Sequence, residues 1–138
     1  MEKLRIAVAT DDGERFVARH FGDAEYYDVY DLTPDGSEFV LRVPNHTEEE
    51  DGHADPTKAK GIAGLLRQQG VQVALTRVFG PNIKRIKSKV VCVLTAFEEV
   101  AKGIEMAQGN FEAIVAEWEK GEDRSFLDLR KSERREWI

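Results

Sequence analysis

Three histidines, His20, His46 and His53, are the side chains of this 138-residue chain with the chemistry to ligate a metal reversibly. A neutral imidazole offers a nitrogen lone pair near neutral pH, and a metal held by few such bonds can be released again. The one cysteine, Cys92, sits inside the apolar run VVCVL and reads as a packing residue. By itself it can form neither an internal disulfide nor a zinc or iron-sulfur site, which ordinarily need several protein ligands. Asp11 and Asp12 offer a second chemistry, metal-dependent hydrolysis with the histidines as co-ligands. Two-metal catalysis wants carboxylates converging from rigid elements, and the interior of the first apolar run, LRIAVAT, holds none. A lone histidine in a polar loop is ordinarily a surface residue. The case therefore turns on where the three fall relative to the elements around them.

Those elements follow from periodicity and punctuation. Leu4 to Thr10 has the β-branched density of a buried strand and ends at the turn signal Asp11-Asp12-Gly13. Tyr26 to Leu32 and Phe39 to Val43 are two further strands joined through Thr33-Pro34-Asp35-Gly36, which suits a type I turn. In the third, Phe39, Leu41 and Val43 alternate with more polar neighbours, as one half-buried face requires. After the polar HTEEEDGHADP, Asp55-Pro56 supplies an N-cap and a proline at the first helical position. Ala59, Ile62, Ala63 and Leu66 make its apolar stripe and Gly70 closes it. Val71 to Leu75 is a short buried strand. Gly80-Pro81 opens a second helix carrying Ile83 and Ile86, and Val90 to Leu94 is a fifth strand. Thr95 and Glu98 form a capping box for a third helix with Phe97, Val100, Ala101 and Ile104 inward. The spacing thus predicts β-β-β-α-β-α-β-α over residues 1–110. A second unit, residues 111–138, comprises the stripe Phe111, Ile114, Val115 and Trp118 and a charged tail.

An antiparallel meander followed by right-handed βαβ units brings the loops after the first, third, fourth and fifth strands to one end. His20, His46, His53, Arg77 and Gly80 all fall in those loops. Ligands of open α/β sheets bind at the carboxyl ends of strands. Helices beginning near Pro81 and Ala96 are expected to aim their N-terminal dipoles there, with Arg19 and Arg77 adding positive charge.

The run His20-Phe21-Gly22-Asp23-Ala24 followed by Tyr26-Tyr27-Asp28-Val29-Tyr30-Asp31 resembles the HFG-x-A-x-x-F-x-x-Y-D block of the dinitrogenase iron-molybdenum cofactor biosynthesis family, of the NifX, NafY and NifB C-terminal type. Asn45, His53, Gly61 to Gly70 with Val71 and Val73, and Gly80-Pro81-Asn82 follow in that family's order, so the resemblance spans roughly residues 4 to 109. It implies a ribonuclease-H-like mixed five-stranded sheet flanked by helices, without nuclease activity. It also implies transient binding of an iron-sulfur or iron-molybdenum type cluster or its precursor, and a donor or acceptor protein as partner. The histidine of the motif, here His20, is the implied metal ligand. Phe21, Gly22, His53, His46, Arg77 and Gly80 complete the expected binding site. Two departures stand out: Arg77-Val78 replaces the family's usual glycine pair, and the stretch after Gly109 lacks a clear counterpart.

A formal net charge of -6 speaks against nucleic-acid or anionic-membrane surfaces, which demand a basic footprint. Without a long apolar run or a signal-peptide pattern at its start, the chain is expected in the cytoplasm, with a homodimer as its candidate assembly. Two other readings stand beside the carrier: the hydrolase using Asp11 and Asp12, and an interaction module docking through the Phe111 to Trp118 stripe.

Overall fold

The fold was obtained as a computed structural model that describes residues 1–45, 56–81 and 83–130, with the side chains of 56–60 left aside. Strand β1 (Leu4–Thr10) lies inside the sheet, paired antiparallel with β2 (Tyr26–Thr33) and parallel with β4 (Val73–Thr76). β2 continues through the Pro34-Asp35 turn into β3 (Gly36–Pro44), and β4 pairs in parallel with β5 (Val91–Leu94). The expected meander and parallel units are therefore present, in the order β3-β2-β1-β4-β5-β6.

The sixth strand, β6 (Leu127–Asp128), corrects the five-stranded expectation: the tail adds it in parallel beside β5. Two residues carry no periodicity by which a sequence could reveal a strand. Arg124 brings the tail there. Its buried guanidinium donates to the carbonyls of Trp118 (3.0 and 2.8 Å) and Ser88 (2.9 Å) and lies 4.0 Å over the Trp118 ring.

Alternation along β1 separates two cores. Leu4, Ile6 and Val8 face one side, with Leu75, Val93 and helices α3 (Val100–Gly109) and α4 (Phe111–Trp118). Ala7 and Ala9 face the other, with Cys92, Phe21 and the helix α1 (Pro56–Gln68), which buries Ile62 and Leu66. α1 ends as its glycine predicts: Gly70 takes φ +69°, and the N–H groups of Gly70 and Val71 donate to the carbonyls of Arg67 and Leu66. Phe111, Ile114 and Val115 belong to the same apolar cluster as β1, β4 and β5, so the stripe after Asn110 packs on the sheet.

Two local expectations fail. The third helix starts at Val100 rather than beside Thr95; the Thr95 hydroxyl instead accepts a bond from the Phe97 N–H at 3.1 Å, and no side chain caps the helix. Arg15 and Glu99 form an isolated antiparallel β-bridge, and Glu99, just before the helix, is extended. In β3 the simple alternation breaks because a bulge lies opposite Val29 and Tyr30. Leu41 and Val43 stay on the α1 side, whereas Phe39 crosses to the other, half-exposed, and meets Tyr30 edge-on at 5.5 Å.

Candidate functional site

The loop between β1 and β2 carries His20 and is held from several directions. The Thr10 hydroxyl donates to the Arg15 carbonyl (2.7 Å) and accepts from the Gly13 N–H (2.8 Å), closing the first turn. Asp12 accepts from the N–H groups of Glu14 (2.8 Å) and Arg15 (2.9 Å), and these bonds hold its carboxyl below the usual carboxylate range. Asp11 accepts from the Arg19 guanidinium (3.0 Å) and the Glu25 N–H (2.9 Å), spanning the whole loop. Arg19, expected to face a ligand, thus braces the loop, donating also to the Asp23 carbonyl at 3.0 Å.

Within this frame a 3₁₀ turn, Phe21–Asp23, follows His20. Phe21 is fully buried, its ring 4.9 Å from that of Tyr27 and 5.5 Å from that of Phe79. Its N–H donates to the Val78 carbonyl at 2.8 Å, and its carbonyl accepts from the Tyr27 hydroxyl at 2.8 Å. Asn45, just past β3, donates to the carbonyls of Gly22 (2.9 Å) and Ala24 (2.8 Å). The histidine is thereby tied to the ends of three different strands: β2 through Tyr27, β3 through Asn45 and β4 through Val78.

The imidazole rests on Gly80. A Cβ at that glycine would stand 2.5 Å from His20 Cγ and 2.6 Å from Nδ1, and Gly80 has φ +79°, so both space and backbone demand glycine here. About a third of the His20 side chain remains exposed (36%), with Nδ1 3.8 Å from a carboxylate oxygen of Asp23. Asp23 is thus the carboxylate on the Nδ1 side of the ring.

The expected site residues separate in consequence. His20, Phe21, Gly22 and Gly80 come together as one unit: seat, ring and anchor. Arg77 is half-buried at the start of the 77–80 loop, and no described hydrogen bond or ion pair engages it. His46 and His53 lie outside the described residues. The two helices expected there start later than the sequence suggests. α2 (Ile83–Ile86) is a single turn, and the first N–H of α3 is taken by the Glu14 carbonyl at 2.9 Å. The 77–80 loop instead turns carbonyls toward protein, Val78 to Phe21 and Gly80 to Ile83. Among the described residues, no acceptor meets the N–H groups of Val78, Phe79 or Gly80.

Pattern reading did not single out Thr76, Asp23, Tyr27 or Phe79 for the site. Thr76 carried a signal, a polar residue closing an apolar run at a strand's carboxyl end. Cys92 is fully buried between Val91 and Val93, and burial pushes its thiol up to about 12, so no thiolate is offered near neutral pH.

The fold and site define a mixed α/β domain that presents one braced histidine at the carboxyl ends of its strands. The family model described as dinitrogenase iron-molybdenum cofactor matches residues 2–121, and the chain belongs to that family. The match runs through α4, so that helix lies within the family's span rather than beyond it. No curated protein matches the chain. Among solved structures, a Methanococcus jannaschii protein determined by NMR and provisionally named a dinitrogenase shares the fold. Its TM-score is 0.53 at 15% identity, over 80% of this chain and 92% of that one. Family membership implies involvement in the biosynthesis or binding of the iron-molybdenum cofactor. No helix among the described residues is long and apolar enough to cross a membrane.

Proposed function

We propose that this chain is a non-catalytic cytoplasmic carrier that takes up an anionic iron-sulfur or iron-molybdenum type cluster, or a precursor, and passes it between donor and acceptor proteins. His20 is the metal ligand. The observation that carries the reading is the seat of the imidazole: a partly exposed ring held on Gly80 by a loop bound to three strand ends. Such a ring loses little freedom when it binds, so one coordinate bond can select the cargo without holding it irreversibly. Asp23 orients the ring as the outer partners of metal-bound histidines commonly do. The N–H groups of the 77–80 loop and the Arg77 side chain supply positive potential for the cluster's anionic periphery.

The hydrolase reading draws no support from Asp11 and Asp12, each of which braces the loop through its Oδ1. Nor does the Phe111 to Trp118 stripe favour an interaction module, since its apolar residues are committed to the core.

Anaerobic titration of the purified apoprotein with isolated iron-molybdenum cofactor and with a thiolate-ligated [4Fe–4S] cluster, followed by absorbance, tests the reading. His20→Ala is expected to weaken binding more than about 100-fold, beyond the loss typical of an outer-sphere partner. His46→Ala is expected to change it little, and thermal unfolding of both apoproteins should stay close to wild type. Equal affinity of wild type and His20→Ala would remove His20 as the ligand.

A further inference from the structure

We propose that Thr76 is a second binding residue of the same site, its hydroxyl donating a hydrogen bond to the anionic cofactor held by His20; this rests on the carrier reading above. Thr76 is the last residue of β4 and is fully buried, yet its Oγ1 meets no hydrogen-bond partner. Among the described residues it is the one buried side-chain oxygen or nitrogen left in that condition. Its backbone is committed elsewhere, the carbonyl accepting from the Thr95 N–H at 3.0 Å, so the orphan is the hydroxyl alone.

Position gives that side chain a face of the sheet. Val73 and Leu75 face the α3 and α4 side, and Ala74 faces the side of Phe21 and Phe79; alternation puts Thr76 with Ala74. Its lateral neighbours on that face are Leu94 of β5, directly paired, and the small Ala9, one step beyond the Val8 and Leu75 pair of β1. From Thr76 the chain enters the 77–80 loop, whose Val78 carbonyl fixes Phe21 and whose Gly80 seats the His20 ring. The orphan hydroxyl therefore belongs to the last residue at the carboxyl end of β4, directly before the 77–80 loop that seats the proposed ligand.

Every nearby element could have filled this position with valine, which has the same shape and suits a buried strand. A buried hydroxyl without a partner lowers stability, and such groups call for a ligand, a water or a catalytic role. A threonine here is explained by a bound state in which the hydroxyl is satisfied. As a neutral donor it suits sulfide or carboxylate acceptors on an anionic cargo without fixing the cargo's charge.

The test compares wild type, Thr76→Val and Thr76→Ser by the same two titrations and by thermal unfolding of the apoproteins. Thr76→Val should raise the apoprotein's Tm by about 3 °C, since it removes an unsatisfied group, while weakening binding about tenfold. Thr76→Ser, which keeps the hydroxyl, should retain affinity near wild type. Three outcomes overturn the proposal: wild-type affinity in Thr76→Val, equal losses in both variants, or a lower Tm in Thr76→Val, which would reveal a structural partner for the hydroxyl. Failure of wild type to bind either probe would overturn the carrier reading and this inference with it. Binding by wild type with no effect of Thr76→Val would overturn this inference alone.

Discussion

Gly80 and Gly70 separate two roles of glycine in one molecule. Both have positive φ, but a Cβ at Gly70 meets nothing within 4 Å, whereas at Gly80 it collides with the His20 ring. Gly70→Ala is expected to cost about 1 kcal/mol of stability from backbone strain and to leave cluster binding intact. Gly80→Ala should cost at least as much and also displace the imidazole, lowering affinity about as far as His20→Ala. Denaturant unfolding and the anaerobic titration, run on both variants, read the two effects separately. Cys92 makes the opposite case, a potential metal ligand removed by its surroundings. Cys92→Ser should lose about 1 kcal/mol from burying a hydroxyl in an apolar strand and bind the cluster as wild type does. A folded serine variant that failed to bind would place the site elsewhere.

At the level of elements, β1 and the loop that follows it depend on ionised carboxylates. On β1, Arg5 donates to both oxygens of Asp31 on β2, at 2.9 and 3.2 Å, and this bonding holds the Asp31 carboxyl below its usual range. Asp12 is lowered in the same direction by the backbone N–H groups of Arg15 and Glu14. A carboxyl lowered by folding adds stability that is fully present above its unfolded value, about 3.9, and is lost as the pH falls through its folded value. The protein should therefore lose stability on acidification below about pH 4. Asp31→Asn should be less stable than wild type at neutral pH, yet show a shallower decline below pH 4. Urea unfolding of both proteins at pH 7 and pH 3 measures this; parallel declines would remove Asp31 from the account.

For the whole molecule, the question is whether residues 1–110 stand alone. Truncation after Asn110 removes Phe111, Ile114 and Val115 from the larger apolar cluster, along with Leu129 and the β6 edge. Losing one large buried side chain costs about 2–5 kcal/mol, and whole domains are stable by only about 5–15 kcal/mol. The 1–110 fragment is therefore expected to lose cooperative unfolding in calorimetry while keeping some helical signal in far-ultraviolet circular dichroism. A sharp transition in the fragment would show that the meander and its three helices suffice.

How much of this was legible beforehand differs by kind of interaction. The sequence by itself determined β1, the meander, α1 with its Gly70 terminus, and the end of the sheet at which His20 falls. Each of these follows from local periodicity, turn chemistry and the handedness of βαβ connections. The family resemblance also marked Gly80 as a binding residue, without saying what it touches. Only the tertiary structure made it the seat of the imidazole, because that contact joins residues sixty positions apart through two loops. The same holds for Asn45 bracing Gly22, for Arg124 folding the tail into a sixth strand, and for the Glu14 carbonyl that occupies the start of α3. By type and position Arg19 is a charge for a ligand and Asp11 a hydrolase carboxylate, whereas in the fold the two pair with each other. Local pattern records which residues favour a strand or a turn. The partner of a side chain or orphan amide is set by packing between distant segments, and so is the lack of a partner at the buried Thr76 hydroxyl.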